Sequence, residues 1–86
     1  MDLQGIKEGI KVNVYHITKD KKVGMHKHPS HDEIFYCVHG NGFGVLEDSE
    51  VYLEHGKAFI VPANTMHALR TDGDLIVSSS LIPLVE

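Results

Sequence analysis

Apolar and polar side chains alternate along much of the chain with the period of two that is typical of β-strands. The clearest run begins at Ile10, where Ile10, Val12 and Val14 would share one face of a half-buried strand extending to about residue 17. Turn-forming residues separate it from apolar runs at about 23–27, 33–38, 43–46, 51–54, 58–61, 66–71 and 75–82. No long window carries the stripe of an amphipathic helix. The pattern predicts an all-β sandwich or barrel of about eight short antiparallel strands.

Two local features refine this picture. Asn41-Gly42 lies between apolar runs and predicts a hairpin, because Asn and Gly tolerate the positive φ angles of a type I′ turn. Residues 78–80 are serines in the last strand, and we expect them to face solvent. Residues 1–9 carry two glycines and mixed charge, which leaves an edge strand, a flexible end or a short helix open. Residues 10–86 form the single predicted domain.

Composition narrows the classes of function. The net charge of −4 leaves no basic face for nucleic acid, and no apolar run approaches the roughly 20 residues of a membrane span. The first nine residues lack the pattern of a signal peptide. Cys37 is the only cysteine, which excludes a disulfide within the chain and fits a reducing compartment. We therefore expect a soluble cytoplasmic protein whose small core is supported by a metal or a second subunit.

Candidate chemistry is concentrated between residues 24 and 40, where four of the seven histidines lie. His26 and His28 are two residues apart in an extended segment, so both imidazoles can point to the same side. Glu33 opens the next apolar run and can add a carboxylate oxygen. Imidazole nitrogen and carboxylate oxygen are common ligands of transition metals. His31 and Asp32 lie in the intervening loop and stay open as alternative ligands.

A second motif downstream supplies a fourth candidate. Gly56, Pro62, Asn64 and His67 follow one another at spacings of six, two and three residues. Together with His26-x-His28, Glu33 and Gly40, this arrangement resembles the two motifs of the cupins, separated here by residues 41–55. The resemblance is imperfect at three positions. Asp20 and Asn64 stand where the family has glycine, and Thr71 stands where it has asparagine, although Asn64 can still adopt the left-handed backbone conformation.

The resemblance implies a jelly-roll β-barrel with a metal inside one mouth. Carried over residue by residue, the ligands would be His26, His28, Glu33 and His67, and the metal would be Fe, Mn, Ni, Zn or Cu in the divalent state. It also implies a small-molecule ligand and a function such as a metal-dependent oxygenase or isomerase. The alternative is a non-enzymatic ligand-binding or sensor barrel. Four further residues are weaker candidates for the pocket or its surroundings: His31, Cys37, Phe35 and Leu69.

We also expect a homodimer. The strand at residues 10–17 is available to pair with a second subunit, and the face formed by Ile34, Tyr36 and Val38 is apolar enough to need cover.

Overall fold

A computed structural model describes residues 2–85 of the chain, so positions 1 and 86 of the predicted ranges lie outside the described residues. The chain forms one short helix followed by seven strands. Most bounds agree with the predicted runs to within one or two residues. The elements are α1 (Leu3–Gly9), β1 (Lys11–Thr18), β2 (Val23–His26), β3 (His31–Val45), β4 (Glu50–Glu54), β5 (Ala58–Val61), β6 (His67–Arg70) and β7 (Asp74–Pro83).

The strands form two antiparallel layers that share the long strand β3. The first layer has the order β1-β7-β3-β5, and the second has the order β2-β6-β3-β4. Residues 31–40 of β3 pair in the first layer, and residues 41–45 pair in the second. The curled sheet is the predicted all-β barrel fold, with the core enclosed between the two layers.

The predicted hairpin at Asn41-Gly42 is wrong, because β3 continues through these residues as a single strand. The strand bends instead at an irregularity in its pairing with β7 between Cys37 and His39, followed by Gly40 at a φ of 79°. A side chain at Gly40 would also collide with the backbone oxygen of Asp74, 2.0 Å from the position of a Cβ atom. Gly40 therefore lets β3 pass from the first layer to the second as one strand, rather than turn back as a hairpin.

The predicted orientation of β1 is also wrong. Val12 and Val14 are 63% and 69% exposed, whereas Ile17 on the opposite face is buried in the core. The pairing of β1 with β7 explains the difference, because Ile17 and Tyr15 lie opposite the buried residues Leu75 and Val77. Val12 and Val14 lie instead on the outer surface of the first layer.

Residues 3–9 form a helix, which was one of the three options that the sequence left open. Asp2 caps it, because its carboxylate accepts a hydrogen bond of 3.1 Å from the backbone N–H of Gly5. No residue of α1 is buried, so the helix adds little to the core. Within residues 2–85, no helix has the length and apolar character needed to span a membrane.

Candidate metal centre

The four motif residues come from three strands and one loop at the same end of the barrel. His26 is the last residue of β2 and lies directly opposite His67, the first residue of β6. His28 follows β2, and Glu33 points inward from the first half of β3. Glu33 and His67 are buried, whereas His26 and His28 are half-buried. The fold thus places two ligand candidates in the interior and two at the opening.

One potential donor atom from each of these four residues lies within 4.8 Å of the other three. The Oε1 atom of Glu33 is 2.9 Å from Nε2 of His67 and 3.2 Å from Nε2 of His28. Neighbouring ligands of one ion at bond lengths of about 2.0–2.2 Å are separated by roughly 3 Å. The donor set and its spacing therefore fit a transition-metal ion.

Backbone carbonyl groups orient two of the imidazole rings. Nδ1 of His26 donates to the carbonyl oxygen of Gly24 at 2.7 Å, and Nδ1 of His67 donates to that of Thr65 at 2.8 Å. A carbonyl oxygen only accepts, so the proton of each neutral ring is on Nδ1 and the lone pair is on Nε2. This arrangement of ring proton and carbonyl is typical of metal-binding histidines.

The orientation of His67 has an electrostatic consequence. Its Nε2 lone pair would face the Oε1 atom of Glu33 at 2.9 Å, and two acceptors at that distance repel each other unless a proton or a metal cation lies between them. No lysine or arginine among residues 2–85 forms an ion pair with Glu33. Because a buried carboxylate is usually paired with a cation or bound to a metal, this surrounding favours a metal.

The loop before β6 is held against the histidine segment by two hydrogen bonds. Asn64 has a φ of 65°, as expected for a residue replacing glycine, and its backbone N–H donates to the carbonyl oxygen of His28 at 2.9 Å. The backbone N–H of Ala63 donates to the carboxylate of Asp32 at 2.7 Å. These contacts bring His67 to the other three candidates, and they give Asp32 a structural role.

The structure places the weaker candidates in different surroundings. Phe35 is buried and lines the cavity beside the histidines. Cys37 and Leu69 are fully buried members of the hydrophobic core and do not line that cavity. His31 and Asp32 are not part of the four-residue cluster. Burial raises the pKa of the Cys37 thiol above its usual value, so the reactive thiolate is disfavoured.

A cavity of about 120 Å³ opens beside the cluster and is lined mainly by apolar atoms. Its lining residues are Tyr15, Val23, His26, His28, Glu33, Phe35 and Leu81. Tyr15 was missed by the sequence analysis because the strand face of Val12 and Val14 was expected to point inward. The signal that could have found it is the alternation of Tyr15 with Ile17, the buried residue of β1.

Ser79 was also missed. It was expected to face solvent with its neighbours, but it is fully buried and its hydroxyl donates to Oε2 of Glu33 at 2.5 Å. His39 and His55, which lie outside the two motifs, are exposed. His16 is also exposed and its Nε2 lies 2.8 Å from the carboxylate of Asp74.

Fold and site together define a small all-β barrel with a candidate metal centre in one mouth. A family model described as the cupin domain matches residues 13–79. The chain therefore belongs to the cupin family.

Comparison with individual proteins gives more distant similarities. Quercetin 2,3-dioxygenase of Bacillus subtilis (strain 168) is 37% identical over 54 residues, which are 63% of this chain and 16% of that enzyme. An uncharacterised protein of Methanocaldococcus jannaschii is 24% identical over 72 residues, 84% of this chain and 56% of that protein. The chain thus spans at most about half the length of these curated relatives.

Solved structures share the fold over nearly the whole chain. A predicted oxalate decarboxylase from Thermotoga maritima has a TM-score of 0.81 at 20% identity, over 98% of this chain and 76% of that chain. KdgF from Halomonas sp. has a TM-score of 0.77 at 27% identity, over 88% and 71% of the two chains.

Proposed function

We propose that this protein binds a divalent transition metal through His26, His28, Glu33 and His67. The observation that carries the proposal is the contact of Glu33 Oε1 with the Nε2 atoms of His67 and His28, at 2.9 and 3.2 Å. Three imidazoles and one carboxylate suit Fe, Mn, Ni, Zn or Cu, and the donor set does not distinguish among these metals.

The metal proposal is tested by elemental analysis of protein purified without a chelator or an affinity tag. Near-stoichiometric transition metal is expected, and the absence of both bound metal and binding on titration would overturn the proposal. His67→Ala should weaken binding by more than the roughly 10–100-fold typical of residues that only support a ligand. His55→Ala is the matched control, because His55 is exposed and lies outside the cluster. Equal affinities of the two variants would exclude this ligand set.

We further propose that the cavity beside the metal binds a small molecule. Its volume of about 120 Å³ is below the roughly 300–1,000 Å³ typical of pockets for drug-sized ligands. Val23, Phe35 and Leu81 offer apolar contacts, and Tyr15 offers a hydroxyl group. A flavonol-sized molecule would extend out of this cavity, so the ligand enclosed here is smaller than the substrate named for the Bacillus relative.

Metal-dependent oxygenase or isomerase chemistry is the enzymatic form of this proposal, supported by the similarity to a dioxygenase over 54 residues. A bound metal would supply Lewis-acid polarisation of a ligand oxygen, or activation of water or dioxygen. The protein's own residues would hold the metal on one side of the ligand and enclose the ligand's apolar part. Dioxygen uptake by the metal-loaded protein, measured across small oxygen-containing compounds, tests the oxygenase form.

A specific observation favours the alternative of a non-enzymatic binding barrel. Among residues 2–85, Tyr15 is the only cavity-lining residue with a polar side chain apart from the proposed metal ligands. This part of the chain therefore gives the cavity no separate acid or base of the carboxylate, lysine or histidine type. Ligand that binds the loaded protein and is recovered unchanged, with no dioxygen uptake, would support this alternative.

The proposal also includes a cytoplasmic location and a homodimer. The sole thiol, Cys37, is consistent with a cytoplasmic location. A second copy of the chain would cover the outer face of the first layer, which carries uncharged side chains in its centre although the chain has a net charge of −4. Strand pairing places these outward residues side by side: Val12, Val14, Ile34, Tyr36, Ala58, Ile60, Ser78 and Ser80. An uncharged face of this kind can meet its own copy about a two-fold axis without like-charge repulsion.

A further inference from the structure

Ser79 makes a contact with the candidate metal centre that neither the family motifs nor the sequence pattern indicates. It lies in β7, opposite Phe35 of β3, and its side chain is fully buried. Its hydroxyl donates to Oε2 of Glu33 at 2.5 Å, while Oε1 of the same carboxylate contacts His67 and His28. The two carboxylate oxygens therefore have different partners.

We propose that Ser79 is a positioning residue that makes Glu33 bind the metal through Oε1 alone. The inference rests on the proposed metal site and names a residue outside its ligand set. A carboxylate can turn about its last side-chain bond and offer either oxygen, or both, to an ion. The hydrogen bond from Ser79 fixes that rotation and occupies the oxygen that faces the core. Oε1 is then directed at the two histidines before any metal arrives.

The neighbouring serines provide controls on the same strand. Ser78 and Ser80 lie opposite Tyr36 and Ile34, on the outer face of the first layer. Residues 78–80 are chemically identical, so only the direction of the side chain separates Ser79 from the other two. Ser78→Ala removes a hydroxyl from the same strand without touching Glu33.

The test titrates Co(II) into wild-type protein, Ser79→Ala and Ser78→Ala, following the visible absorption of the ion. Removing the Ser79 hydroxyl leaves Oε2 of Glu33 without its donor, and that oxygen is then free to turn to the metal. We expect Ser79→Ala to bind Co(II) about 10–100-fold more weakly and with a changed visible spectrum. Ser78→Ala should match the wild type in both. Altered stability alone would not change the spectrum of the bound ion.

The outcomes separate this inference from the metal proposal. A wild-type protein that binds neither Co(II) nor any of Fe, Mn, Ni, Zn and Cu would overturn both. Wild-type affinity and spectrum in Ser79→Ala would overturn the role of Ser79 and leave the metal site standing. If Ser79→Ala does not fold, infrared spectroscopy of the wild-type protein still tests the inference. Infrared difference spectra with and without Co(II) should show the carboxylate band separation of single-oxygen binding, and the separation of two-oxygen binding would contradict the inference.

Discussion

Glu33 and His67 are 34 residues apart in the chain, yet both side chains are buried inside the barrel and Oε1 of Glu33 lies 2.9 Å from Nε2 of His67. The contact joins the first layer to the second, because Glu33 belongs to the part of β3 that pairs with β5 and β7, whereas His67 begins β6. A metal bound at this point would link the two layers and stabilise the folded state by an amount that grows with the logarithm of its concentration relative to its Kd.

Tyr15 is predicted to contact the ligand that occupies the cavity. With Co(II)-loaded protein and azide as a small anionic probe, Tyr15→Phe should weaken azide binding by roughly 2–10-fold, because it removes one hydrogen-bond donor. Co(II) affinity should not change, since Tyr15 is not part of the donor cluster. Tyr52→Phe is the matched control, with its exposed ring on β4 packed against Phe43 at a centroid distance of 5.6 Å. Equal azide affinity in Tyr15→Phe and wild type would remove Tyr15 from the binding site.

Much of the fold could be predicted because alternation marks the strands. The four-residue cluster could be predicted only through the resemblance to the two cupin motifs, because His67 is far from the other three residues in the chain and Glu33 lies in a different layer from His26. Asn64 illustrates the same point, since its left-handed conformation follows from its position in the motif.

The errors concern features that only the pairing of strands decides. Asn41-Gly42 has the composition of a hairpin, yet β4, β6 and β7 all pair with β3 and hold it as one strand. Three consecutive serines do not reveal which one faces inward, and the register with β3 selects Ser79. Both faces of β1 contain apolar residues, so the sequence could not tell that Ile17 is buried and Tyr15 lines the cavity, whereas Val12 and Val14 face outward.

The proposed dimer predicts that a charge at the centre of the outer face will separate the subunits. Tyr36 is 42% exposed and lies between Ser78 and Ala58 on the two neighbouring strands. Tyr36→Glu would bring two carboxylates together about the two-fold axis. Their repulsion should destabilise the dimer by several kcal/mol, which raises the dimer Kd at least about a hundredfold. Sedimentation equilibrium at micromolar concentration should give twice the 9.6 kDa chain mass for the wild type and a mainly monomeric variant.

Tyr52→Glu controls for the added charge in the dimer experiment. Tyr52 is 49% exposed and belongs to the second layer, so this variant should remain dimeric. A wild-type protein that sediments as a 9.6 kDa monomer would refute the dimer, and dissociation of both variants would place the interface elsewhere.

Gly44 is predicted to be required for core packing. A Cβ atom there would lie 2.3 Å from the ring of Phe59, which stacks on Phe35 with ring centroids 6.0 Å apart. Gly44→Ala should therefore destabilise the protein by about 1–3 kcal/mol through overpacking. Gly73→Ala should change stability little, because no described residue beyond its two chain neighbours lies within 4 Å of the added atom. Urea unfolding of the two variants measures the difference, and Phe59→Leu in the Gly44→Ala background should recover part of the loss by removing ring atoms.

The ion pair between Glu50 and Arg70, outside the metal site, is predicted to contribute to stability in a pH-dependent way. Nε and Nη2 of Arg70 donate to the two carboxylate oxygens of Glu50 at 2.5 and 2.7 Å, and the guanidinium lies 4.2 Å from the ring centroid of Phe43. These hydrogen bonds lower the pKa of Glu50 below its usual value. Because the folded pKa is below the unfolded pKa of about 4.3, the stabilisation is complete above that pH and is lost as pH falls through the folded pKa. Thermal unfolding should show Glu50→Gln less stable than the wild type at about pH 7, with the difference disappearing in acid. A Glu50→Gln deficit that persists unchanged in acid would show that the loss comes from packing rather than from the charge on Glu50.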